Sequence, residues 1–220
     1  ADIAKRLPEH GYDRTVISAF AFMIIGAGLK IALFPLHQWL PNAYTYAPST
    51  VTAFLAATAT KVSVYILLRF LFTVFGVHFS FEILPTATPL LILAILAMFI
   101  PSIVACFQKN VKRVFAYSSV AQIGYMILGI SFVTVTGLSA GILHLFNHAL
   151  MKGAIFLVLG AIFYRIGSCH IDRMAGLAKR MPWTMAAFVG GGLSLIGIPM
   201  TAGFISKWYL ILAAIEKGWW

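Results

Sequence analysis

The chain has 220 residues, of which 61% are hydrophobic and only 10% are charged, and its mean hydropathy is +0.93. Soluble domains carry about 25% charged residues, so this composition excludes a soluble globular domain and predicts an all-α polytopic membrane protein. The formal net charge of +10 does not indicate a nucleic-acid-binding protein, because the basic residues cluster in particular loops and form no stripe with interleaved aromatic residues.

Six apolar segments are long enough to cross a bilayer, which takes about 20 helical residues. In chain order, the predicted spans are 16–40, 49–75, 90–107, 114–133, 138–164 and 183–214. They form a transmembrane domain over residues 16–214, with a loop at 1–15 before it and a short end at 215–220 after it. The chain begins without Met and stops abruptly at residue 220, so we expect a fragment of a longer protein.

The distribution of Lys and Arg among the loops predicts the orientation of the helices. The turn at residues 109–113 and the loop at 165–180 are rich in Lys and Arg, whereas residues 1–14 balance three basic side chains with three acidic ones. Loops rich in Lys and Arg face the cytoplasm. We therefore expect residues 1–14 to be extracytoplasmic and the first helix to run inward.

Four lysines lie inside the predicted spans: Lys30, Lys61, Lys152 and Lys207. All six acidic residues fall in loops or at the ends of the chain, so no span supplies a carboxylate to these lysines. A charge at the centre of a bilayer costs about 2.5–3.5 kcal/mol on insertion scales, and four such charges indicate function. Lysine releases its proton readily when desolvated, so these side chains are candidate proton-transfer groups.

The first and the sixth spans contain helix breakers close to a lysine. Pro35 lies five residues after Lys30, and Pro199 lies eight residues before Lys207 in a Gly-rich stretch. Proline removes a helical hydrogen bond and glycine weakens the helix further. Broken helices at corresponding positions indicate an ion site in an inverted repeat, although such residues also simply kink transmembrane helices. His37 lies just beyond the first break, and a surface or interfacial role explains it equally well.

The fifth span carries His144, His148 and Lys152 at positions i, i+4 and i+8, so these side chains share one face of a helix. We interpret them as a polar stripe that carries protons. Two alternatives are a packing seam between helices and a metal site, for which no third ligand of a suitable kind lies near. For Lys61 the alternative is a structural ion pair with a carboxylate outside the chain, and for Lys30 it is pairing with a backbone carbonyl freed at the break.

No motif for cofactor chemistry is present. The sequence has no phosphate loop, no G-x-G-x-x-G after a strand, no cysteine cluster for iron–sulfur and no serine nucleophile elbow. We therefore expect no cofactor and no metal in this chain, and no redox step can be located in it.

Three motifs in the same order resemble those of the antiporter-like membrane subunits of respiratory complex I, membrane-bound hydrogenases and Mrp-type cation/proton antiporters. They are the lysine-bearing broken helix at residues 28–54, the central polar helix at 144–153 and the second broken helix at 198–207. The resemblance covers nearly the whole chain. Residues 59–65 are most similar to the D-type subunit of Mrp antiporters.

The resemblance implies two half-channels related by an inverted repeat, with Lys30 and Lys61 in one, Lys207 in the other and Lys152 between them. Full-length family members have further helices, one of which carries a glutamate that pairs with the lysine matching Lys30. That helix lies outside this chain, which alone is not expected to pump.

The implied function is that of a membrane subunit of a multisubunit Na⁺/proton antiporter in a bacterial inner membrane. Its implied partners are other membrane subunits, protons, Na⁺ and the lipid bilayer. The alternatives are a proton-pumping subunit of a complex I-type NADH:quinone oxidoreductase or hydrogenase, whose redox chemistry lies in other subunits, and a scaffold whose lysines only hold the assembly together.

Overall fold

The computed structural model describes residues 13–218, so most of the predicted N-terminal loop lies outside the described residues. The helices are α1 (Arg14–Ile31), α2 (Trp39–Tyr46), α3 (Ser49–Ala57), α4 (Ala59–Leu68), α5 (Ala87–Cys106), α6 (Val111–Ser131), α7 (Val135–Ile166), α8 (Leu177–Arg180), α9 (Pro182–Ile196) and α10 (Ala202–Glu216). Two π-helical turns, Arg69–Val74 and His78–Ile83, lie between α4 and α5, and a 3₁₀ turn, Ile171–Arg173, precedes α8. The predicted all-α fold class is confirmed.

Five helical segments of the described chain are long and apolar enough to cross a membrane. They are Arg14–Ile31, Ser49–Val74, Ala87–Cys106, Val111–Ser131 and Val135–Ile166. These correspond to the first five predicted spans, with ends that differ by a few residues except where the first span breaks. The sixth predicted span is a pair of shorter helices, α9 and α10, of 15 residues each.

Both predicted breaks are present. Helix α1 ends at Ile31, where Ala32 adopts a left-handed conformation with φ of 64°, and the chain becomes helical again at Trp39. Helix α9 ends at Ile196 and is followed by Gly197, whose φ of 84° is a left-handed value that glycine adopts without strain. Pro199 follows two residues later and cannot continue the helix.

A third interruption separates α3 from α4 at Thr58, where no sequence pattern predicts one. The backbone at Thr58 has φ of −120° and ψ of −51°, and its hydroxyl donates to the carbonyl of Phe54 at 2.8 Å. The Phe54 carbonyl thus accepts from both the N–H and the hydroxyl of Thr58, an arrangement that often bends helices, and the break lies three residues before Lys61.

The 32-residue helix α7 lies at the centre of the fold and packs against α3, α6, α9 and α10. Its approach to α6 is close enough to exclude side chains: a Cβ atom on Gly129 would lie 2.5 Å from the Gly137 carbonyl oxygen and 2.9 Å from the Gly141 nitrogen. Small residues permit such contact between transmembrane helices. The pair α6–α7 therefore forms a tightly packed support for the polar residues that both helices carry.

Candidate functional site

The three polar residues of the predicted stripe are fully enclosed. His144, His148 and Lys152 each have 0% exposed surface and lie on the inner face of α7. The rings of His144 and His148 are parallel, with their centroids 6.2 Å apart. Buried polar groups are costly unless they are hydrogen-bonded, so the partners of each residue decide what the stripe can do.

His144 joins α6 to α10 through its two ring nitrogens. Its Nε2 lies 2.9 Å from Gln122 Oε1, and its Nδ1 lies 2.9 Å from Ser206 Oγ. The Ser206 oxygen is also 3.1 Å from the Gly203 carbonyl, to which its hydroxyl can donate. An imidazole held at both nitrogens can take up a proton on one side and release it from the other. His144 is therefore placed as a connection between two helices.

Lys152 extends from α7 to the backbone of α6. Its Nζ donates to the Phe115 carbonyl at 2.7 Å and to Ser118 Oγ at 2.9 Å, and it lies 5.0 Å from the centroid of the Phe115 ring. These are neutral acceptors and a ring face, so within residues 13–218 the ammonium group has hydrogen bonds but no carboxylate partner.

Lys61 and Lys207 each reach back across a helix break to main-chain carbonyls. Lys61 Nζ donates to the Ala56 carbonyl near the end of α3. Lys207 Nζ donates to the carbonyls of Leu195 and Ile196 at 2.9 Å each, at the end of α9. The last carbonyls of a helix lack helical partners and carry partial negative charge. Each break thus supplies oxygen ligands to a cation.

His148 lies one helical turn from both His144 and Lys152 on the same face of α7. Neither of its ring nitrogens has a hydrogen-bond partner within residues 13–218. In the described part of the chain, the two histidines have no third His, Cys, Asp or Glu with which to form a metal-binding group.

Two of the residues discussed from the sequence lie apart from this group. Lys30 is in the last turn of α1 on an exposed face, and it has no hydrogen-bond partner in the described chain. Pairing with a freed carbonyl, considered for Lys30, is found instead at Lys61 and Lys207. His37 is only 9% exposed and is therefore buried rather than at the surface. Its ring stacks on that of Phe34, with the two centroids 5.3 Å apart.

Helix α6 contributes side chains that the sequence reasoning missed. Ser118 binds Lys152, Gln122 binds His144, and the Tyr125 ring lies 4.8 Å from Lys207 Nζ. These positions follow the i, i+4, i+7 spacing of one helical face. A search for polar residues on one face of the fourth span would have found them.

The fold and the site define a polytopic membrane protein with titratable side chains arrayed through its interior. The chain belongs to the family described as "NADH:quinone oxidoreductase/Mrp antiporter, TM", which matches residues 6–220. The resemblance expected from the three motifs is thereby confirmed.

The relatives come from more than one kind of membrane complex. The chain is 44% identical over 220 residues to the N-type subunit of the NADH-quinone oxidoreductase of Desulforudis audaxviator. This match covers 100% of this chain and 44% of that protein. It is 36% identical over 215 residues to the D-type subunit of the Na(+)/H(+) antiporter of Alkalihalophilus pseudofirmus, and this match covers 97% of this chain and 43% of that protein. A chain in the structure of the Mrp complex from a Dietzia species matches with a TM-score of 0.88 and 32% identity, over 94% of this chain and 38% of that one. The chain thus spans less than half the length of these relatives.

Proposed function

We propose that residues 16–214 form the proton-translocating region of a membrane subunit in a multisubunit Na⁺/proton antiporter. The observation that carries this proposal is an array of five side chains in which every lysine ammonium is held by neutral oxygens. Four of them are buried, namely Lys61, His148, Lys152 and His144, and the fifth, Lys207, is half-buried. Ionisable groups enclosed in a membrane are costly and are typical of proton pathways.

The array allows charge on one group to control the next. Two unit charges interact much more strongly in a protein interior than in water, so adding or removing a proton at Lys61 changes the energy of a proton at Lys152 or His148. His144 is linked to the region of Lys207 by its hydrogen bond to Ser206, the residue that precedes Lys207. Coupled groups of this kind titrate as a set.

Lys30 fits this scheme as an entry group. Its exposed position on α1 leaves it available to an acidic side chain from outside residues 13–218. A neighbouring glutamate would favour the protonated form of Lys30, and separation of the pair would release the proton toward Lys61. It would then pass along the α7 stripe to Lys207. In this proposal Lys30, near the break at Pro35, is the group at one end of the path, and Lys207, near the break at Pro199, is the group at the other.

A second coupling mechanism is favoured by a specific observation. The relative that is 44% identical is named an NADH-quinone oxidoreductase subunit, whereas the 36% relative and the Mrp complex favour antiport. The same array serves either mechanism, with the driving force supplied by a sodium gradient or by redox chemistry in other subunits. In both cases the proposed partners are further membrane subunits, and the proposed location is a bacterial inner membrane with residues 1–14 outside.

The test uses the full-length parent protein with its partner subunits in everted vesicles from a bacterial host that lacks antiporters. A pH-sensitive dye reports proton movement after addition of NaCl and, separately, of NADH. Lys30→Ala and Lys152→Ala remove proposed transfer groups, and Lys179→Ala is the matched control because Lys179 is exposed in α8.

Sodium-dependent proton efflux that both transfer variants abolish and the control retains supports the antiporter. Proton movement driven only by NADH supports the redox-coupled alternative. Transport that continues at the wild-type rate in Lys152→Ala contradicts both and leaves the array as a scaffold.

A further inference from the structure

A groove open to the surface runs between α3 and α7. Two adjoining cavities of about 530 Å³ and about 300 Å³ form it, and they share Thr50 and Leu157 in their walls. Gly153 and Gly160 widen it on the α7 side. Along α7 the groove extends from Gly153 to Tyr164, about 16 Å at the helical rise per residue. That length is close to half of the roughly 30 Å hydrocarbon core of a bilayer, and so to one leaflet.

The groove has a polar end that contains a buried cation. A third cavity of about 240 Å³ adjoins it at Ser49 and Phe163 and is lined by Lys112. Lys112 is only 5% exposed; its Nζ donates to Ser49 Oγ at 3.0 Å and lies 5.0 Å from the centroid of the Phe163 ring. In the described chain the one ion pair joins His78 to Glu82, so no carboxylate of residues 13–218 neutralises Lys112.

The surroundings of Lys112 favour an anion. Helix α3 begins at Ser49 without a side-chain cap, so the unpaired N–H groups of its first turn add partial positive charge beside the cavity. The neighbouring loops are rich in Lys and Arg, and Asp172 is their one acidic residue over positions 107–181. A buried ammonium, a helix N-terminus and a basic rim therefore meet where the apolar groove ends.

We propose that this site binds an anionic phospholipid, with the headgroup phosphate at Lys112 and one acyl chain in the groove between α3 and α7. An amphiphile matches both parts, because its charge meets the cation while its chain covers apolar surface over the depth of one leaflet. Basic pockets between helices on the cytoplasmic side are typical sites for anionic lipid headgroups, and this is the side on which the loops of α6 and α7 are expected to lie. A free phosphate would leave the groove uncovered. The site is separate from the buried array and does not depend on the proposed transport.

The test measures bound lipid directly. The full-length protein, purified with its partner subunits and stripped of lipid, is incubated with phosphatidylglycerol or with phosphatidylcholine of the same acyl chains, and native mass spectrometry counts the lipids retained. Lys112→Gln removes the cation, Lys112→Arg keeps it, and Ala161→Phe fills the groove from an exposed position. Lys109→Gln is the matched control, since it removes an equal charge from an exposed site on the same turn.

We expect wild type, Lys112→Arg and Lys109→Gln to retain one more phosphatidylglycerol than Ala161→Phe does. Lys112→Gln should lower the preference for phosphatidylglycerol over phosphatidylcholine about fivefold, the effect of one lysine near an anionic headgroup. If Lys112→Gln does not assemble, the number of phosphatidylglycerol molecules retained by Ala161→Phe and by wild type still decides whether the groove binds a lipid.

Three results would overturn the proposal. The first is an unchanged lipid count in Ala161→Phe, and the second is an effect of Lys109→Gln as large as that of Lys112→Gln, which indicates diffuse surface charge. The third is a zero-length crosslink from Lys112 to a carboxylate of a partner subunit, which would show that a protein neutralises this lysine.

Discussion

Replacing Lys152 by Met separates a functional from a structural role for the buried array. Wild-type Lys152 loses its hydration on burial, at a cost of several kcal/mol, and regains two hydrogen bonds to neutral acceptors worth about 1.5–3 kcal/mol each. Met has a similar length and no charge, and it adapts to irregular cavities. The two changes nearly cancel, so we expect little loss of stability and complete loss of transport.

The acceptors that the substitution leaves behind keep other partners. The Phe115 carbonyl also accepts from Ser119 Oγ at 3.0 Å, and the Ser118 hydroxyl can turn to a carbonyl of its own helix. No buried acceptor is therefore orphaned. The melting temperature of the full-length protein in detergent should stay within about 5 °C of wild type, since 1 kcal/mol corresponds to about 2–4 °C in a protein of 150–250 residues and less in a larger one.

The assay pairs thermal unfolding in detergent with dye-reported proton movement in vesicles, using Lys179→Met as the exposed control. A variant that melts well below wild type would show that the hydrogen bonds of Lys152 outweigh its desolvation cost and that the lysine is a structural tie. Normal proton movement in a stable Lys152→Met protein would refute the reasoning outright.

Other variants test the packing of α6 on α7, the role of His148 and the orientation of the chain in the membrane. Gly129→Val should force α6 from α7 and prevent assembly or lower the melting temperature by more than 5 °C, whereas Gly190→Ala, with no heavy atom within 4 Å of the added carbon, should leave it unchanged or higher. His148→Leu removes two buried nitrogens that have no hydrogen-bond partner in residues 13–218, so it should abolish proton movement without lowering the melting temperature, and a clear fall would contradict this. In a protein whose remaining cysteines are replaced, an impermeant maleimide should label exposed Cys106 in everted but not right-side-out vesicles; the opposite pattern reverses the predicted orientation. Buried Cys169 should not be labelled by the maleimide at pH 7 in either kind of vesicle, because burial raises the pKa of its thiol.

Much of the fold could be predicted because its signals are local. Apolar length marks the spans, and Pro35 and Gly197 with Pro199 mark two breaks. The break at Thr58 could not be predicted in this way. Threonine is common inside membrane helices, and whether its hydroxyl bends the backbone depends on the packing of α3 and α4 against their neighbours.

The site was predictable only along one helix. His144, His148 and Lys152 follow from helical periodicity, but their partners come from other helices. In the sequence, Gln122 lies 22 residues before His144 and Ser206 lies 62 residues after it. Such contacts arise when helices pack, and no pattern within one span specifies them. The same limit applies to Lys30, whose exposure depends on which helices surround α1.

The main-chain oxygens that hold Lys61 and Lys207, at the breaks near Thr58 and Gly197, have a consequence for comparing homologues. Lys61 and Lys207 are held by the main chain at Ala56, Leu195 and Ile196, and any amino acid at those positions offers the same carbonyl oxygen. Natural variation can therefore replace these side chains freely without altering the ligands, and an alignment would score them as unimportant. Substituting the side chains at these positions likewise leaves the carbonyl oxygens in place and does not test them. Chemical synthesis that converts the relevant amide to an ester, weakening one carbonyl as an acceptor, is the perturbation that would reach them.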